Sequence, residues 1–403
     1  LPMDLKIKPK SEAVPLTMGN SDNPISLTLI IFTTMSFVLS MSGMVFNGIL
    51  DKVAVSLNIS VADAGLLNTM YAYGAAFGVP ITLIVFRKIE RIRMLKIMLL
   101  ITILMTLALV LAQNFMPLLV IRLIMGVSAN SYNVLAISTV VSLSSKERQG
   151  RSMAFLIMGS ALALVIGVPL TRALSSVLDW RNIFWILDII MLVSLIYFQL
   201  YLPVSDHEAT KLNMKTELKY FKDSKIFLIL IYSLTMFVGL GALNTYLTPY
   251  LLILFPSVET KMSLILVLLG VASFIGNMIG GHVSDHLGYA KSLLLGAVLQ
   301  AATVLMMLLF QPVWWLSVLF ALLWLMSAWF TGLQLNTGIA QATQNKSSFM
   351  ISINSSAIQL GSAIGSSLAA IVISLSEIQN IIFITLLTAL LITVIQLFSI
   401  KKT

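Results

Sequence analysis

Apolar segments long enough to cross a lipid bilayer follow one another along almost the whole of this 403-residue sequence. A helix that spans the hydrocarbon core needs about 20 predominantly apolar residues. Only 10% of the residues are charged, whereas an average soluble domain has about 25%. A chain with so little charge cannot cover its surface with groups that water solvates, so lipid must cover much of it.

The apolar segments are separated by short polar breaks, and they predict an all-α membrane protein with twelve transmembrane helices. We place the spans at residues 26–50, 61–86, 94–113, 117–143, 152–175, 182–202, 226–254, 262–284, 291–310, 314–342, 349–374 and 380–400.

The lysines and arginines orient these helices, because short cytoplasmic loops carry an excess of both. With the N-terminus inside, the outside loops hold Lys52, Arg172, Arg181 and Lys261, Arg122 lies within a span, and the other 20 of the 25 basic residues fall inside. Both termini are therefore expected in the cytoplasm. The formal net charge of +9 then reflects topology, and no nucleic-acid partner is expected.

The longest polar stretch inside the chain divides the predicted helices into six and six. We expect a cytoplasmic N-terminal tail over 1–25, a six-helix bundle over 26–202, a cytoplasmic central loop over 203–225, a second six-helix bundle over 226–400 and a cytoplasmic tail over 401–403. This layout is typical of transporters built from repeated halves. No span holds paired carboxylates, a metal cluster or a nucleophile with its base, so we predict no catalytic residue and no enzyme.

Short patterns occur in order along the predicted spans. The first half has Gly78 and Pro80 in span 2 before a basic loop with Arg91, then Arg122 and Gly126 in span 4, then Gly159, Gly167 and Pro169 in span 5. The second half has Gly281, Asp285 and Gly288 after span 8, and the run from Asn354 to Gly365 in span 11. Together they resemble the major facilitator superfamily over nearly the whole chain, and most closely its drug/proton antiporter branch of bacterial sugar, nucleoside and drug exporters.

This resemblance implies the major facilitator fold, in which twelve helices form two pseudo-symmetric six-helix bundles around a central cavity. It also implies a secondary active transporter that exports a small organic molecule (a drug, sugar, nucleoside or metabolite) by proton antiport with alternating access. A proton-coupled importer on the same fold is the alternative, and a transporter-like sensor is a further one. We expect a monomer in a bacterial plasma membrane, with the substrate, protons and lipid as its partners.

The resemblance also assigns gating roles. Gly159 and Gly167 lie near one helix face and let backbones approach closely, and Pro169 removes a backbone hydrogen bond and bends the helix. The resemblance implies that the bend favours one state of the transport gate. The alternative is that these residues serve helix packing alone. Asp285 is expected to contact backbone or basic groups at the cytoplasmic ends of neighbouring helices.

Arg122 is the basic residue within a predicted span. Such a residue costs about 2.5–3.5 kcal/mol on insertion scales, so it is expected to face a cavity or a partner. Gly126 and Asn133 follow on nearly the same face. A side chain that reaches out to the membrane interface is the alternative interpretation.

Two acids in or beside the spans could carry a coupling proton. Asp51 ends span 1, one turn after Asn47, and is our first candidate, although a solvated helix end is an equal interpretation. Asp188 lies inside span 6, where we favour a structural pair with Arg172 or Arg122.

Polar residues of the second half complete the predicted substrate pathway: Asn244, Tyr246, Gln334, Asn336, Asn354 and Gln359. Hydrogen bonding between helices, worth about 0.6 kcal/mol per contact, is the alternative role for such residues. The near absence of charge in these spans suits a neutral, zwitterionic or weakly cationic substrate. The sequence has no cysteine, and its three histidines fall in predicted loops or at the end of a predicted span, so we expect no metal and no other cofactor.

Overall fold

The computed structural model describes residues 27–86, 89–145, 148–202, 217, 219–344 and 347–401. Over these residues the chain is helical and has no strand. The predicted tail at 1–25 and residues 203–216 of the predicted central loop lie outside the described part.

Twelve long helices follow one another in the described part. They are α1 Leu27–Leu57, α2 Val61–Val85, α3 Arg91–Leu111, α4 Phe115–Leu143, α5 Gln149–Leu174, α6 Trp180–Tyr201, α7 Ser224–Leu254, α8 Met262–Leu287, α9 Tyr289–Leu309, α10 Trp314–Ala342, α11 Ser348–Leu375 and α12 Ile381–Lys401.

Eleven helices of the described part are long and apolar enough to cross a membrane, and the chain is a multi-pass membrane protein. The remaining long helix, α2, is less apolar because Asn68, Thr69, Tyr71 and Tyr73 lie in its middle. The two bundles meet along this helix, so its polar residues find partners in protein rather than facing lipid.

Helix α1 continues to Leu57, so the prediction that Asp51 ends the first span is wrong. The helix is interrupted instead at Ile49, whose φ of −133° and ψ of 20° are not helical. The helix resumes after this interruption, and Asp51 in its continuation forms an ion pair with Arg172 of α5.

Helix α5 contains a π-helical turn at Ala163–Gly167. It directly precedes Pro169, which has no N–H to continue the α-helical pattern. The N–H of Val168 bonds to the carbonyl of Ala163, five residues back. The predicted bend therefore takes the form of a π-bulge.

Glycines bring helix backbones together within each half. A Cβ added at Gly126 of α4 would lie directly against the carbonyl oxygen of Tyr71 on α2, and one added at Gly74 against that of Leu123. On α5, Gly159 lies against the carbonyl of Thr33 of α1 in the same way.

The second half repeats this arrangement. Gly276 of α8 lies against the carbonyl oxygen of Met326 on α10, and Gly365 of α11 against that of Val238 on α7. The pairs α2–α4 and α8–α10 thus correspond, as do α1–α5 and α7–α11. Two similar six-helix bundles result, as the resemblance implied.

The bundles pack against each other through α2 with α11, α5 with α8, and α1 with α7. At the closest approach of α5 and α8, a Cβ on Gly270 would lie 2.6 Å from the Cα of Val165, inside the π turn. We call the membrane side that carries the α1–α2 connection the α1–α2 end, and the opposite side the α2–α3 end.

Candidate functional site

Arg122 of α4 lies at the centre of the first bundle and is fully buried. Its Nε donates to the carbonyl of Leu67 at 3.1 Å, its Nη1 to that of Ser42 at 3.1 Å and its Nη2 to that of Gly43 at 3.1 Å. The side chain therefore points inward between α1 and α2 and does not reach out to the membrane interface.

Two aromatic rings complete the surroundings of Arg122. Its guanidinium carbon lies 4.4 Å from the ring centre of Tyr71 and 4.9 Å from that of Phe46. No carboxylate of the described residues pairs with it. Backbone dipoles and ring faces, rather than an opposite charge, compensate the burial of this cation.

A chain of amides connects Arg122 to the interruption of α1. Nη2 of Arg122 donates to Oδ1 of Asn68 at 3.4 Å, and Nδ2 of Asn68 donates to Oδ1 of Asn47 at 2.7 Å. The predicted residues Arg122 and Asn47 are therefore linked, but through Asn68, which was not among the predicted residues.

An ion pair lies on the other side of the same turn. Nη1 of Arg172 lies 2.6 Å from Oδ1 and 2.8 Å from Oδ2 of Asp51, and it also donates to the carbonyl of Gly48 at 3.4 Å. The side chain of Arg172 is 4% exposed and that of Asp51 26% exposed. This pair fastens α1 to α5 beside the non-helical residue Ile49.

The two bundles are hydrogen-bonded to each other toward the α1–α2 end. The hydroxyl of Thr248 on α7 donates to the carbonyl of Asn47 at 2.7 Å, and that of Tyr246 donates to the carbonyl of Ala62 at 3.1 Å. Tyr246 is fully buried and also packs on Gly65 of α2. The predicted pathway residues Asn47 and Tyr246 thus lie where the bundles are joined.

Hydroxyl pairs join α2 and α11 in the same half of the membrane. Thr69 bonds to Ser366, and the hydroxyl of Tyr73 lies 3.4 Å from Oγ of Ser367. These four contacts join the first bundle to the second on this side of the membrane. The structure is therefore closed at the α1–α2 end.

The second bundle holds a polar relay nearer the α2–α3 end. The hydroxyl of Ser233 donates to Oδ1 of Asn354 at 2.6 Å, and Nδ2 of Asn354 lies 2.9 Å from Oδ1 of Asn336. Asn354 is fully buried, whereas Asn336 is exposed. A polar amide in the middle of an apolar helix avoids lipid, so its exposed side faces a water-filled space.

Other predicted pathway residues have different surroundings. Gln334 is fully buried between α10 and α8, where its Nε2 donates to the carbonyl of Gly280 at 2.8 Å, so it contributes to packing here. Asn133, Asn244 and Gln359 are half-buried. Their amides make no hydrogen bond with another described residue, which leaves them able to bind a polar ligand.

Asp188 of α6 is buried, but it pairs with neither Arg172 nor Arg122, so the structural pair that we favoured is not present. Arg172 is already bound to Asp51. Arg122 donates its hydrogen bonds to α1 and α2 instead. One carboxylate oxygen of Asp188, Oδ1, is enclosed without a hydrogen-bond partner among the described residues.

The predicted gating residues lie mostly at helix ends. Nη1 of Arg91 donates to the carbonyl of Ser138 at 3.1 Å and ties α3 to α4. Asp285 is exposed and makes no hydrogen bond or ion pair with another described residue, so the contact that we expected is not made in this conformation. Gly288, with a φ of 77°, ends α8 and begins α9.

The predicted gating residues also include Gly78 and Pro80 of α2 and Gly281 of α8. Gly78 packs on Val127 of α4, and a Cβ on Gly281 would lie 3.6 Å from Leu333 of α10. Pro80 is half-buried within α2. These residues therefore support the packing of α2 on α4 and of α8 on α10.

Two residues that organise this site were not predicted from the sequence. Asn68 is a lone amide in the middle of a membrane helix, and that isolation was the available signal. Arg172 was counted with the outside basic residues at the end of span 5, and it lies in the last turn of α5. Its complementarity with Asp51 depends on the packing of α1 against α5, which no local pattern reveals.

Comparison with known families gives a match over most of the chain. A family model described as Major Facilitator Superfamily matches residues 32–258 and 256–403.

Two curated bacterial relatives match over most of their length. An uncharacterized MFS-type transporter of Bacillus subtilis, YbcL, is 25% identical over 88% of this chain and 90% of its own. A probable sugar efflux transporter of Helicobacter pylori is 26% identical over 84% of this chain and 88% of its own.

Solved structures share the fold at low sequence identity. A bacterial homologue of the lysosomal transporter Spinster, in an inward-facing and unoccupied conformation, superimposes with a TM-score of 0.72 at 12% identity, covering 94% of this chain and 96% of that one. The xylose transporter XylE of E. coli, in a partially occluded inward-open conformation, gives a TM-score of 0.69 at 15% identity, covering 91% and 95%.

Proposed function

Because the chain belongs to the Major Facilitator Superfamily, we propose that this transporter exports a small polar organic molecule from the cytoplasm in exchange for protons. The superfamily and the relatives are transporters. Export, proton exchange and the substrate class are the parts that we add. We further propose that both termini lie in the cytoplasm of a bacterium and that the α1–α2 end faces outward, as the basic residues indicate.

The proposal rests on one observation: the Asp51–Arg172 ion pair lies one helical turn from the hydrogen bond between Asn47 and Thr248, which joins the two bundles at the α1–α2 end. Asn47, whose carbonyl accepts the cross-bundle hydrogen bond of Thr248, is one helical turn from Asp51. Opening this end requires α1 to separate from α7. The ion pair fixes the same stretch of α1 to α5, so its strength affects whether that separation can occur.

A proton can act on this pair. Protonation of Asp51 would remove the negative charge that Arg172 binds, so the ion pair exists only while Asp51 is ionised. With the α1–α2 end open, Asp51 would take up a proton from outside. Closure of this end would restore the pair, and Asp51 would release its proton to water that enters from the cytoplasm once the opposite end is open. Proton uptake from outside and release inward is the order that a proton-driven exporter needs.

The second bundle supports a neutral polar substrate such as a sugar or a nucleoside. Among the described residues, α7 to α12 carry charge only in their first or last turns. The amides of Asn244, Asn336 and Gln359 can bond hydroxyl and carbonyl oxygens without adding charge. A relative in Helicobacter pylori is described as a probable sugar efflux transporter, which agrees with this class.

Transport by Asp51→Asn tests the proposal. Proteoliposomes with an imposed pH gradient are given a panel of labelled sugars and nucleosides, and accumulation is measured for the compounds that the native chain carries. We expect Asp51→Asn to exchange substrate across the membrane at near-native rates but to lose accumulation driven by the pH gradient. Asparagine keeps the size of the side chain but cannot release a proton.

Asp179→Asn is the matched control. Asp179 also pairs with an arginine, Arg181, at 3.8 Å, but it is an exposed helix cap at the start of α6. Asparagine caps helices as well as aspartate does, so pH-driven accumulation should be unchanged. Native accumulation by Asp51→Asn would exclude this residue as the coupling acid, and uptake in the direction of the proton gradient would show an importer.

A further inference from the structure

Asp188 is a membrane-embedded acid that the exchange proposed at Asp51 does not use. It lies about two turns into α6, Trp180–Tyr201, and its residue is 8% exposed. Its Oδ1 is enclosed and has no hydrogen-bond partner among the described residues. A buried polar oxygen without a partner is rare in folded proteins and calls for a physical explanation.

No cation of the neighbouring helices faces this carboxylate within the described part of the chain. Helix α6 packs against α3, α1 and the end of α5. Residues 27–50 of α1 include no titratable side chain, and neither do residues 97–111 of α3. The basic residue of the adjoining part of α5, Arg172, is bound by Asp51.

The titratable residues of α6 itself are engaged elsewhere. Arg181 lies about two turns nearer the α1–α2 end, where it donates to the carbonyl of Ala112 at 3.3 Å. Tyr197 bonds to the hydroxyl of Thr28 at 2.9 Å, toward the α2–α3 end. Asp188 therefore has no ion-pair partner on its own helix or on the helices that pack against it, among the described residues.

Ring contacts between α1 and α6 fix the depth of Asp188 in the bundle. Phe46 of α1 packs on Phe184 of α6 with 5.5 Å between ring centres, and Phe32 packs on Phe198 with 4.8 Å. These two contacts set an antiparallel register that places Asp188 level with Ser42. The carbonyl of Ser42 accepts a hydrogen bond of Arg122, so the acid and the arginine share a level, but they form no ion pair.

An ionised carboxylate at this position would be buried without an ion-pair partner among the described residues, which is so costly that a proton is bound instead. We propose that Asp188 is a proton-binding site of the first bundle, separate from Asp51, and that it carries its proton in the conformation described. Movement of α6 against α1 and α3 during transport would change its enclosure and allow the proton to leave.

Labelling with dicyclohexylcarbodiimide tests this site on the full chain in lipid nanodiscs. This apolar reagent partitions into membranes and reacts with protonated carboxyl groups there. It takes up the acid proton while its central carbon bonds the carboxylate oxygen, and the product rearranges to a stable acylurea. Peptide mass spectrometry at neutral pH should find the adduct at Asp188, and the labelling rate should fall as the pH is raised.

Two variants make the result specific. Asp188→Asn should lose the adduct and also the infrared carbonyl band of a protonated carboxylic acid, whereas Asp51→Asn should keep both. Absence of the adduct and the band from the native chain at neutral pH would overturn the proposal, and so would their persistence in Asp188→Asn. If a variant fails to fold, labelling and infrared spectra of the native chain alone decide the question. Neither measurement requires transport, so this proposal can fail or succeed independently of the proposed export.

Discussion

Arg122 shows how a single charged residue can be buried in a membrane bundle without an acidic partner among the described residues. Three backbone carbonyls, from Ser42, Gly43 and Leu67, accept hydrogen bonds from its guanidinium. These acceptors belong to two helices, so one side chain fixes the distance and rotation of α1 relative to α2. The planar fork of arginine suits this task, because its donors diverge in a fixed geometry.

Arg122→Lys should therefore fail to replace arginine even though the charge is kept. A lysine ammonium is a single point and cannot reach the carbonyls of both helices at once. Loss of two or three contacts of about 0.6 kcal/mol each amounts to roughly 1–2 kcal/mol. We expect a lower melting temperature and about tenfold slower transport. Arg151→Lys is the control, since Arg151 is exposed on α5 and should tolerate the change in both assays.

The same residues show what the sequence could and could not predict at this scale. The cost of burying Arg122 predicted that it faces a cavity or a partner, and in the structure backbone carbonyls of α1 and α2 accept its hydrogen bonds. Asp51 was interpreted as a helix end because its neutralising partner, Arg172, is distant in sequence. Gln334 was assigned to the pathway from its polarity, but the carbonyl of Gly280 accepts its hydrogen bond within the bundle.

At the scale of the helix, small residues determine how closely neighbours can pack. In lipid, helices associate through van der Waals packing and hydrogen bonds, because water is not expelled. Gly126 and Gly74 let α4 and α2 meet backbone to backbone. The spacing of such glycines was visible in the sequence, whereas the π turn before Pro169 was not, because a proline can also be accommodated by a simple bend.

Gly126→Ala should disrupt this contact. The added methyl group would meet the carbonyl oxygen of Tyr71, so α4 and α2 must separate. Overpacking of this kind lowers the free energy of unfolding by about 1–3 kcal/mol. We therefore expect a lower melting temperature for the protein in detergent, with unfolding monitored by tryptophan fluorescence. Gly150→Ala is the control, because nothing lies within 4 Å of a Cβ there; it should be neutral or stabilising. Equal melting temperatures for the two variants would show that α2 and α4 tolerate separation.

At the scale of the whole molecule, the two bundles are joined on one side of the membrane. Thr69 with Ser366 and Tyr73 with Ser367 join α2 to α11, and Tyr246 and Thr248 of α7 reach α2 and α1. Periodicity and charge predicted the number of helices and the two halves, but the closed end depends on contacts between distant residues and could not be predicted.

Transport by the proposed mechanism requires the bundles to separate at the α1–α2 end. The sequence contains no cysteine, so a disulfide can be introduced at one chosen place. Thr69→Cys with Ser366→Cys puts two thiols across the junction of α2 and α11. Ser36→Cys with Ser160→Cys is the matched control, because those side chains lie 2.7 Å apart within the first bundle, between α1 and α5.

Substrate flux through proteoliposomes, measured before oxidation, after oxidation and after reduction, tests this requirement most directly. We expect oxidation of the 69–366 pair to abolish flux and reduction to restore it, while oxidation of the 36–160 pair leaves flux within about a factor of two, since rigid bundles can still move against each other. Undiminished flux through a fully oxidised 69–366 pair would contradict the mechanism, because substrate would then cross while the α1–α2 end stays joined.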